Sequence, residues 1–303
     1  MKNCWIIFLA LPLLLAACGT PAAQPSAMAT AGGENPTPLP TVTLTPAPTD
    51  TTLPTLVPTP TLGIGSTGVS PVDGMVLVYI PAGSFEMGSS NNVDEMPSHP
   101  VTLDAFWIDR TEVTNGEYAL CVAAKACQPP RRITSNLKDL YYGNSRYADF
   151  PVIWMNWSTA QAYCQWAGRR MPTEAEWEKA ARGTDGRTYP WGNNPPDGTL
   201  LNFNELIKDV TQTGSYPAGA SPYGALDMAG NVWEWVADWY GMDYYAKSTD
   251  HNPAGPDSGT LHILRGGSFR YNTRGVTTTY RFSKDPTFSS DETGFRCALS
   301  ANP

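Results

Sequence analysis

The chain has 303 residues, is rich in Pro (28) and Gly (27), and contains only three His. Its net charge of −8 does not attract a phosphate backbone, so we expect no nucleic-acid partner. The three histidines, His99, His251 and His262, lie far apart, and the chain has no HExxH, P-loop or GxSxG motif. This argues against a zinc hydrolase, a P-loop nucleotide enzyme and an α/β-hydrolase.

The first residues have the pattern of an export signal. Lys2 precedes an apolar run over residues 5–15, which is too short to cross a bilayer as a helix but is typical of a secretory signal peptide. The LAAC sequence that ends at Cys18 resembles a bacterial lipoprotein box, whose cysteine carries the lipid. We therefore predict a signal peptide over residues 1–17, a lipid on Cys18 and an extracytoplasmic, membrane-anchored protein. A signal peptide without lipidation is the plainer alternative.

A stretch of unusual composition follows. Between residues 21 and 62, 21 of 42 positions are Pro or Thr and only two are charged. This segment has too few apolar side chains to offset the entropy of ordering it. We predict a disordered linker over residues 18–71, which acts as a stalk, and a folded domain over residues 72–303.

The predicted domain begins with strands. Residues 75–81 are predicted as a strand, 82–83 as a turn and 84–88 as the returning strand, and a further strand is predicted over 101–108. Two closing strands are predicted near the end of the chain, at 263–265 and 294–299.

Three helices are predicted from their first residues. Capping boxes, in which a hydroxyl and a Glu or Gln three residues later cap the first turn, are predicted at Thr114, Ser158 and Thr173. Gly168 and Gly183 are placed to end the second and third helices. Beyond Gly183 the regular pattern fades, and tryptophans scattered among Gly, Asn and Pro indicate long loops that pack over aromatic side chains.

The predicted domain contains four cysteines, Cys121, Cys127, Cys164 and Cys297. In an exported chain this even number predicts two disulfides, with three connectivities open. A Cys121–Cys127 bridge would require the helix to end near Lys125, because six helical residues rise roughly 9 Å.

Several motifs in a fixed order resemble the formylglycine-generating enzyme (sulfatase-modifying factor) family. They are IPAGSFEMG at 80–88, TEVTN at 111–115, AYCQWAGRRMPTEAEWE at 162–178, YPWGN at 189–193, DMAGNVWEW at 227–235, RGGS at 265–268 and GFRC at 294–297. The resemblance covers nearly the whole domain and implies an irregular, loop-rich α+β fold related to C-type lectins. It also implies that Cys164 pairs with Cys297, which leaves Cys121 for Cys127.

The resemblance further implies two structural calcium ions. One site would use the Asp227 and Glu234 side chains with main-chain carbonyls, and the other would use the side chains of Asn202 and Asp209. The four carbonyls would come from Gly230 and Val232 in the first site and from Phe203 and Thr211 in the second. Calcium prefers six to eight oxygen ligands, which the first cluster is suited to supply. Solvated acids beside packed tryptophans are the alternative.

The motif that carries the family's chemistry differs in this chain. In formylglycine-generating enzymes, two cysteines after the Gly-Gly-Ser motif bind Cu(I), a soft metal that requires soft sulfur ligands. Tyr271 and Val276 hold those two places here, and Cys297 is the only cysteine beyond Gly267. Trp233 and Ser268, which match residues lining the family's oxygen pocket, are retained. We expect no copper and therefore no copper catalysis.

Three functions remain open. We favour a lipid-anchored, non-enzymatic module that binds an envelope protein, peptide or glycan. An enzyme with another metal centre is the second hypothesis, although the dispersed histidines do not favour iron, and a structural envelope protein is the third. Arg and Tyr are common anchors of recognition surfaces, although a solvated face is the alternative for each such residue. The predicted groove comprises Trp233, Arg265, Ser268, Arg270, Tyr271, Arg274, Tyr280 and Arg281.

Overall fold

A computed structural model describes residues 62–301 of the chain. The predicted signal peptide, Cys18 and most of the predicted linker lie outside the described residues. The helices are α1 (Asn115–Ala123), α2 (Trp157–Trp166) and α3 (Glu174–Arg182). The strands are β1 (Thr67–Val69), β2 (Val76–Ile80), β3 (Gly83–Met87), β4 (His99–Leu103), β5 (Phe106–Asp109), β6 (Trp233–Trp239), β7 (His262–Arg265), β8 (Phe282–Lys284), β9 (Thr293–Phe295) and β10 (Ala298–Ser300). Short elements joined by long loops confirm the predicted α+β, loop-rich class.

The strands form three sheets. The first has the order β1-β2-β5-β10, the second pairs β3 with β4, and the third has the order β8-β7-β6-β9 with β6 and β9 parallel. Because β1 pairs with β2 through Gly68 and Leu77, the fold begins before residue 72, where we had placed the boundary.

Three strand predictions were wrong in pairing or continuity. β3 pairs with β4 and does not return along β2. The strand predicted over 101–108 is two strands of different sheets, β4 and β5. The strand predicted over 294–299 is likewise divided into β9 and β10, because Arg296 and Cys297 between them turn inward to a buried carboxylate and a disulfide.

The helix starts are mostly as predicted. Thr114 and Glu117 cap α1 reciprocally, with Glu117 N donating to Thr114 Oγ1 at 3.2 Å and Thr114 N donating to Glu117 Oε2 at 2.8 Å. Thr173 and Glu176 cap α3 in the same way. The box predicted at Ser158 was wrong, because Asn156 is the cap of α2 and accepts from Thr159 N at 3.0 Å.

Both disulfides implied by the family resemblance are present. Cys121 and Cys127 are bridged with a Cα–Cα distance of 5.3 Å, and α1 ends at Ala123, before Lys125 turns the chain with a φ of +61°. Cys164 and Cys297 are bridged across 133 residues, which ties α2 to the segment between β9 and β10.

Helix α3 lies in the centre of the domain. All nine of its residues are buried, including the charged Glu174, Glu178, Lys179 and Arg182. Arg265 at the end of β7 forms ion pairs with Glu174 at 3.0 Å and Glu178 at 2.7 Å. These buried pairs fix β7, and with it the Gly-Gly turn that follows, against α3. Within residues 62–301, no helix is long and apolar enough to cross a bilayer.

Candidate functional site

After β7, the chain packs Tyr271 and Val276, which hold the places of the family's copper-binding cysteines, among apolar side chains. Gly266 and Gly267 have φ values of +90° and +79°, and a Cβ on Gly267 would lie 2.6 Å from the Gly275 carbonyl oxygen. This close approach requires glycine. The Val276 side chain is fully buried, and the Tyr271 ring is half-buried against the same hydrophobic cluster. Aromatic and aliphatic side chains therefore stand where the family's thiolates would bind metal.

A cavity of about 140 Å³ opens beside these residues. The Trp233 indole stacks on Phe282 with a centroid distance of 4.8 Å and meets the Tyr271 ring edge-on at 4.7 Å. Trp233 is 1% exposed, and its Nε1–H has no hydrogen-bond acceptor among residues 62–301. The lining consists of Trp233, Tyr271, Phe282, Lys284, Phe288, Ser290 and Glu292.

Of the charged side chains at the cavity, Glu292 and Arg270 are paired with each other, whereas Lys284 lies over aromatic rings. Glu292 accepts a hydrogen bond from the Ser268 hydroxyl and pairs with Arg270 Nη1 at 2.9 Å. Arg270 also forms two 2.9 Å hydrogen bonds with the Asp291 carboxylate, and these bonds raise the pKa of the guanidinium. The Lys284 ammonium, in contrast, lies over the Phe282 ring at 4.8 Å and the Phe288 ring at 5.2 Å.

Several of the predicted groove residues lie at the cavity. Trp233 and Tyr271 line the cavity, and Ser268 and Arg270 hold its carboxylate. Tyr280 contacts Trp233 at 6.0 Å between ring centroids, and Arg274 is exposed and contacts Asn92.

Two of the predicted groove residues belong to the interior. Arg265 is fully buried with Glu174 and Glu178. Arg281 is 5% exposed, and its Nε donates to Glu174 at 2.8 Å. A buried guanidinium requires carboxylate partners, and both arginines find theirs on α3. Neither side chain is available to an external ligand.

In the first predicted calcium site, Glu234 is already paired with a buried arginine. Arg296 pairs with both oxygens of Glu234, at 2.6 and 2.7 Å, and the Trp177 indole donates to one of them at 2.7 Å. The guanidinium supplies the positive charge that calcium would bring. Asp227 accepts from the Gly214 amide at 2.6 Å. Because both Glu234 oxygens are paired with Arg296, the predicted calcium ligands lose one of their two carboxylates.

Near Asp227 lies a buried acid that sequence reasoning missed. Glu112 is fully buried, and one of its oxygens accepts from Asn231 Nδ2 at 2.9 Å. Burial, together with repulsion from Asp227 and Glu234, raises the pKa of Glu112 well above its ordinary value. Burial also raises the pKa of Asp227.

In the second predicted calcium site, one side-chain oxygen is free, and the Asp209 oxygens accept hydrogen bonds and an ion pair. Asp209 accepts from the Ser135 hydroxyl at 2.7 Å and the Leu137 amide at 3.0 Å, and it pairs with Lys138 Nζ at 2.7 Å. Asn202 Oδ1 is buried without a donor. The Phe203 carbonyl accepts from the Leu206 amide, and that of Thr211 from Asn231 Nδ2. One free side-chain oxygen falls short of calcium coordination. Across residues 62–301, no cluster of three or more His, Cys, Asp or Glu is arranged to hold a metal.

Five residues that line the cavity were missing from the predicted groove: Phe282, Lys284, Phe288, Ser290 and Glu292. Phe282 and Lys284 lie two positions apart on β8, and side chains at that spacing share one face of a strand. That alternation is a signal that sequence analysis could have used. Phe288 and Glu292 come from the irregular segment between β8 and β9, for which no periodicity exists.

Comparison with known proteins establishes the family. Residues 64–301 match the model of the sulfatase-modifying factor enzyme 1-like domain. The chain belongs to the formylglycine-generating enzyme family. It is 32% identical to the formylglycine-generating enzyme of Streptomyces coelicolor, over 74% of this chain and 89% of the relative. It is 34% identical to the inactive Cα-formylglycine-generating enzyme 2 of Mus musculus, over 74% of this chain and 86% of the relative.

Two further proteins are similar to this domain. Serine/threonine-protein kinase pkn1 of Chlamydia caviae is 36% identical over 73% of this chain, which spans only 37% of that relative's length. The structure of PvdO from Pseudomonas aeruginosa superposes with a TM-score of 0.67 and 26% identity, covering 79% of this chain and all of PvdO. The formylglycine-generating enzyme fold predicted from the motifs is thereby confirmed.

Proposed function

We propose that this member of the formylglycine-generating enzyme family is a non-catalytic binding module whose ligand enters the cavity beside Trp233. The observation that carries the proposal is the packing of Tyr271 and Val276 into apolar clusters at the positions of the family's copper-binding cysteines. Neither side chain offers sulfur, and Cu(I) requires soft ligands. The remaining cysteine of the region, Cys297, is bound to Cys164.

Whether this chain is an enzyme depends on particular residues and not on its overall sequence identity to the relatives. An enzyme and a relative described as inactive are 32% and 34% identical to this chain, so overall similarity does not separate activity from inactivity. The retained Trp233 and Ser268 do not argue for oxidation either. Trp233 packs in the core, and Ser268 donates to Glu292. Trp233 lines the cavity and Ser268 holds the Glu292 carboxylate there, so both residues have a structural role.

The ligand class and location that we propose follow from the chain's other features. A lipid on Cys18 and an extracytoplasmic position agree with two disulfides, which persist in oxidising compartments. An envelope protein, peptide or glycan would then be the partner, reached from a membrane-anchored linker. A Cys18→Ser variant that still partitions with membranes after cell lysis would contradict the anchor.

A copper titration tests the loss of catalysis. We expect the purified protein to retain no Cu(I) against a competing chelator, whereas the double variant Tyr271→Cys and Val276→Cys should retain one equivalent. Each single cysteine variant is the matched control and should bind weakly, because one thiolate is an incomplete site. Stoichiometric Cu(I) on the unmodified protein would overturn the proposal.

The binding role needs its own experiment. A glycan array and a peptide library of envelope sequences are probed with the purified protein, and Trp fluorescence reports occupancy of the cavity. We expect saturable binding that a Phe282→Ala variant weakens, since Phe282 forms one wall of the cavity. Binding that Phe282→Ala leaves unchanged would place the ligand elsewhere.

A further inference from the structure

Resting on the function proposed above, we propose that the cavity beside Trp233 selects a carboxylate carried on a single planar ring. The proposal concerns the chemistry of the ligand, and it rests on three features of the lining. These are a buried donor without an acceptor, an ammonium without a carboxylate, and a set of rings that enclose a space of defined size.

The first feature is the Trp233 indole N–H. Trp233 is 1% exposed, and its Nε1 has no acceptor among residues 62–301. The Tyr271 hydroxyl interacts with this N–H, although the two groups do not meet the distance and angle of a hydrogen bond. A buried donor without a partner is unfavourable, and nearly all such groups in proteins are paired. A ligand that presents an acceptor at this position would satisfy the N–H.

The second feature is the Lys284 ammonium. It lies over the Phe282 and Phe288 rings and forms no ion pair or hydrogen bond within the described part of the chain. The cavity's own acid cannot neutralise it, because Glu292 is held by Ser268 and Arg270. Arg270, Asp291, Glu292 and Lys284 together carry no net charge, but the Lys284 ammonium has no direct partner and the Trp233 N–H has no acceptor. These two donors complement an anion with hydrogen-bond acceptors. A carboxylate has both properties.

The third feature is the shape of the space. Trp233, Tyr271, Phe282 and Phe288 form aromatic walls around about 140 Å³. A cavity of about 150 Å³ lined by apolar side chains holds one benzene molecule. The apolar part of the ligand is therefore one ring, with its carboxylate directed to Lys284 and the Trp233 N–H.

Three single-ring compounds of similar size test whether the cavity prefers a negative charge. The purified protein is titrated with benzoate, benzyl alcohol and benzylamine at neutral pH, and the indole N–H resonance of Trp233, assigned with Trp233→Phe, reports binding. We expect benzoate to bind about tenfold more tightly than benzyl alcohol, and benzylamine to bind most weakly. Equal affinities, a preference for benzylamine, or no shift with any probe would overturn the proposal.

Variants of two lysines test whether the Lys284 ammonium causes the preference for a carboxylate. Lys284→Met keeps the apolar stem and removes the ammonium, so benzoate should lose about tenfold in affinity while benzyl alcohol is unaffected. Lys208→Met, at an exposed lysine outside the cavity lining, should change neither. An unchanged benzoate affinity in Lys284→Met would contradict the assignment. Ring binding without a carboxylate preference refutes this inference and leaves the binding module standing, whereas oxidation of a cysteine peptide refutes the binding module.

Discussion

At the scale of single residues, the interior of this domain depends on charged side chains that are completely buried. Arg296 has no exposed surface and pairs with both Glu234 oxygens, and its remaining donors reach main-chain carbonyls. A buried pair is stable only while both partners are present. Arg296 is therefore the counter-charge of Glu234 in this structure.

Replacing Glu234 tests that role. Glu234→Gln leaves the Arg296 guanidinium buried without its counter-charge, which should lower the free energy of unfolding by about 3–5 kcal/mol. Urea denaturation followed by fluorescence measures the change. Glu205→Gln, on an exposed loop, is the matched control and should have no measurable effect. A small loss in Glu234→Gln would show that the pair contributes little.

A second buried cluster predicts how stability depends on pH. Arg169 pairs with both Asp73 and Asp109, the latter at 3.3 Å. Burial raises the pKa of Asp109 to about 7, despite the attraction of Arg169. The pKa of Asp73 is lowered, because hydrogen bonds from Ser70 and Tyr163 and the Arg169 charge outweigh its burial. The Arg169 guanidinium thus neutralises the Asp73 carboxylate, and Asp109 holds its proton below about pH 7.

The sign of the effect follows from proton binding. The unfolded Asp109 releases its proton near pH 4, whereas the folded protein retains it up to about pH 7. Between these values the folded state binds more protons, so Asp109 contributes stability that decreases as pH rises. Relative to Asp109→Asn, the free energy of unfolding should fall by at most about 1.4 kcal/mol per pH unit across this window and level off above pH 7. A difference that is flat from pH 4.5 to 8 would contradict the assignment.

At the scale of elements, the sequence predicted what is local and failed where partners are distant. The caps of α1 and α3 were predictable because Thr114 and Glu117, or Thr173 and Glu176, lie three residues apart. The pairing of the strands was not predictable, because nothing in the sequence near β3 indicates that it pairs with β4 rather than with β2.

The two disulfides allow a prediction about these elements. Cys121–Cys127 closes a loop of six residues, and Cys164–Cys297 closes one of 133. In the chain-entropy model, the short loop contributes about 2 kcal/mol and the long one about 5 kcal/mol. The pair Cys164→Ala and Cys297→Ala should therefore destabilise the domain more than Cys121→Ala and Cys127→Ala, as measured by thermal unfolding of each double variant. The opposite order would contradict the model for this fold.

At the scale of the whole molecule, the motifs predicted the family and the fold, but only part of the site. Trp233, Ser268, Arg270 and Tyr271 were found because they lie in or beside conspicuous motifs. Arg265 and Arg281 were misplaced, because the depth of an arginine depends on acids such as Glu174, more than 90 residues away. Lys284 and its rings were missed, because the cavity exists only after β6 and β8 are brought together.

The predicted calcium ligands allow a prediction about the stability of the whole molecule. Because Arg296 and Lys138 neutralise the predicted ligands Glu234 and Asp209, removal of divalent cations should leave the melting temperature unchanged within about 1 °C. Differential scanning calorimetry in the presence of a chelator or excess calcium measures this, and terbium luminescence should show no saturable site. A rise of several degrees with calcium would contradict the structural fit.

The central claim is that a fold shared with copper oxidases carries a binding cavity in place of their chemistry. Mass spectrometry of a cysteine-containing peptide, incubated with the purified protein, Cu(I) and oxygen, tests it most directly. Neither Tyr271 nor Val276 supplies a thiolate for Cu(I), so we predict no formylglycine after many hours. Disulfide formed by copper and oxygen alone should equal that in a control without the protein. Conversion of the cysteine to formylglycine, in amounts exceeding the protein, would contradict it.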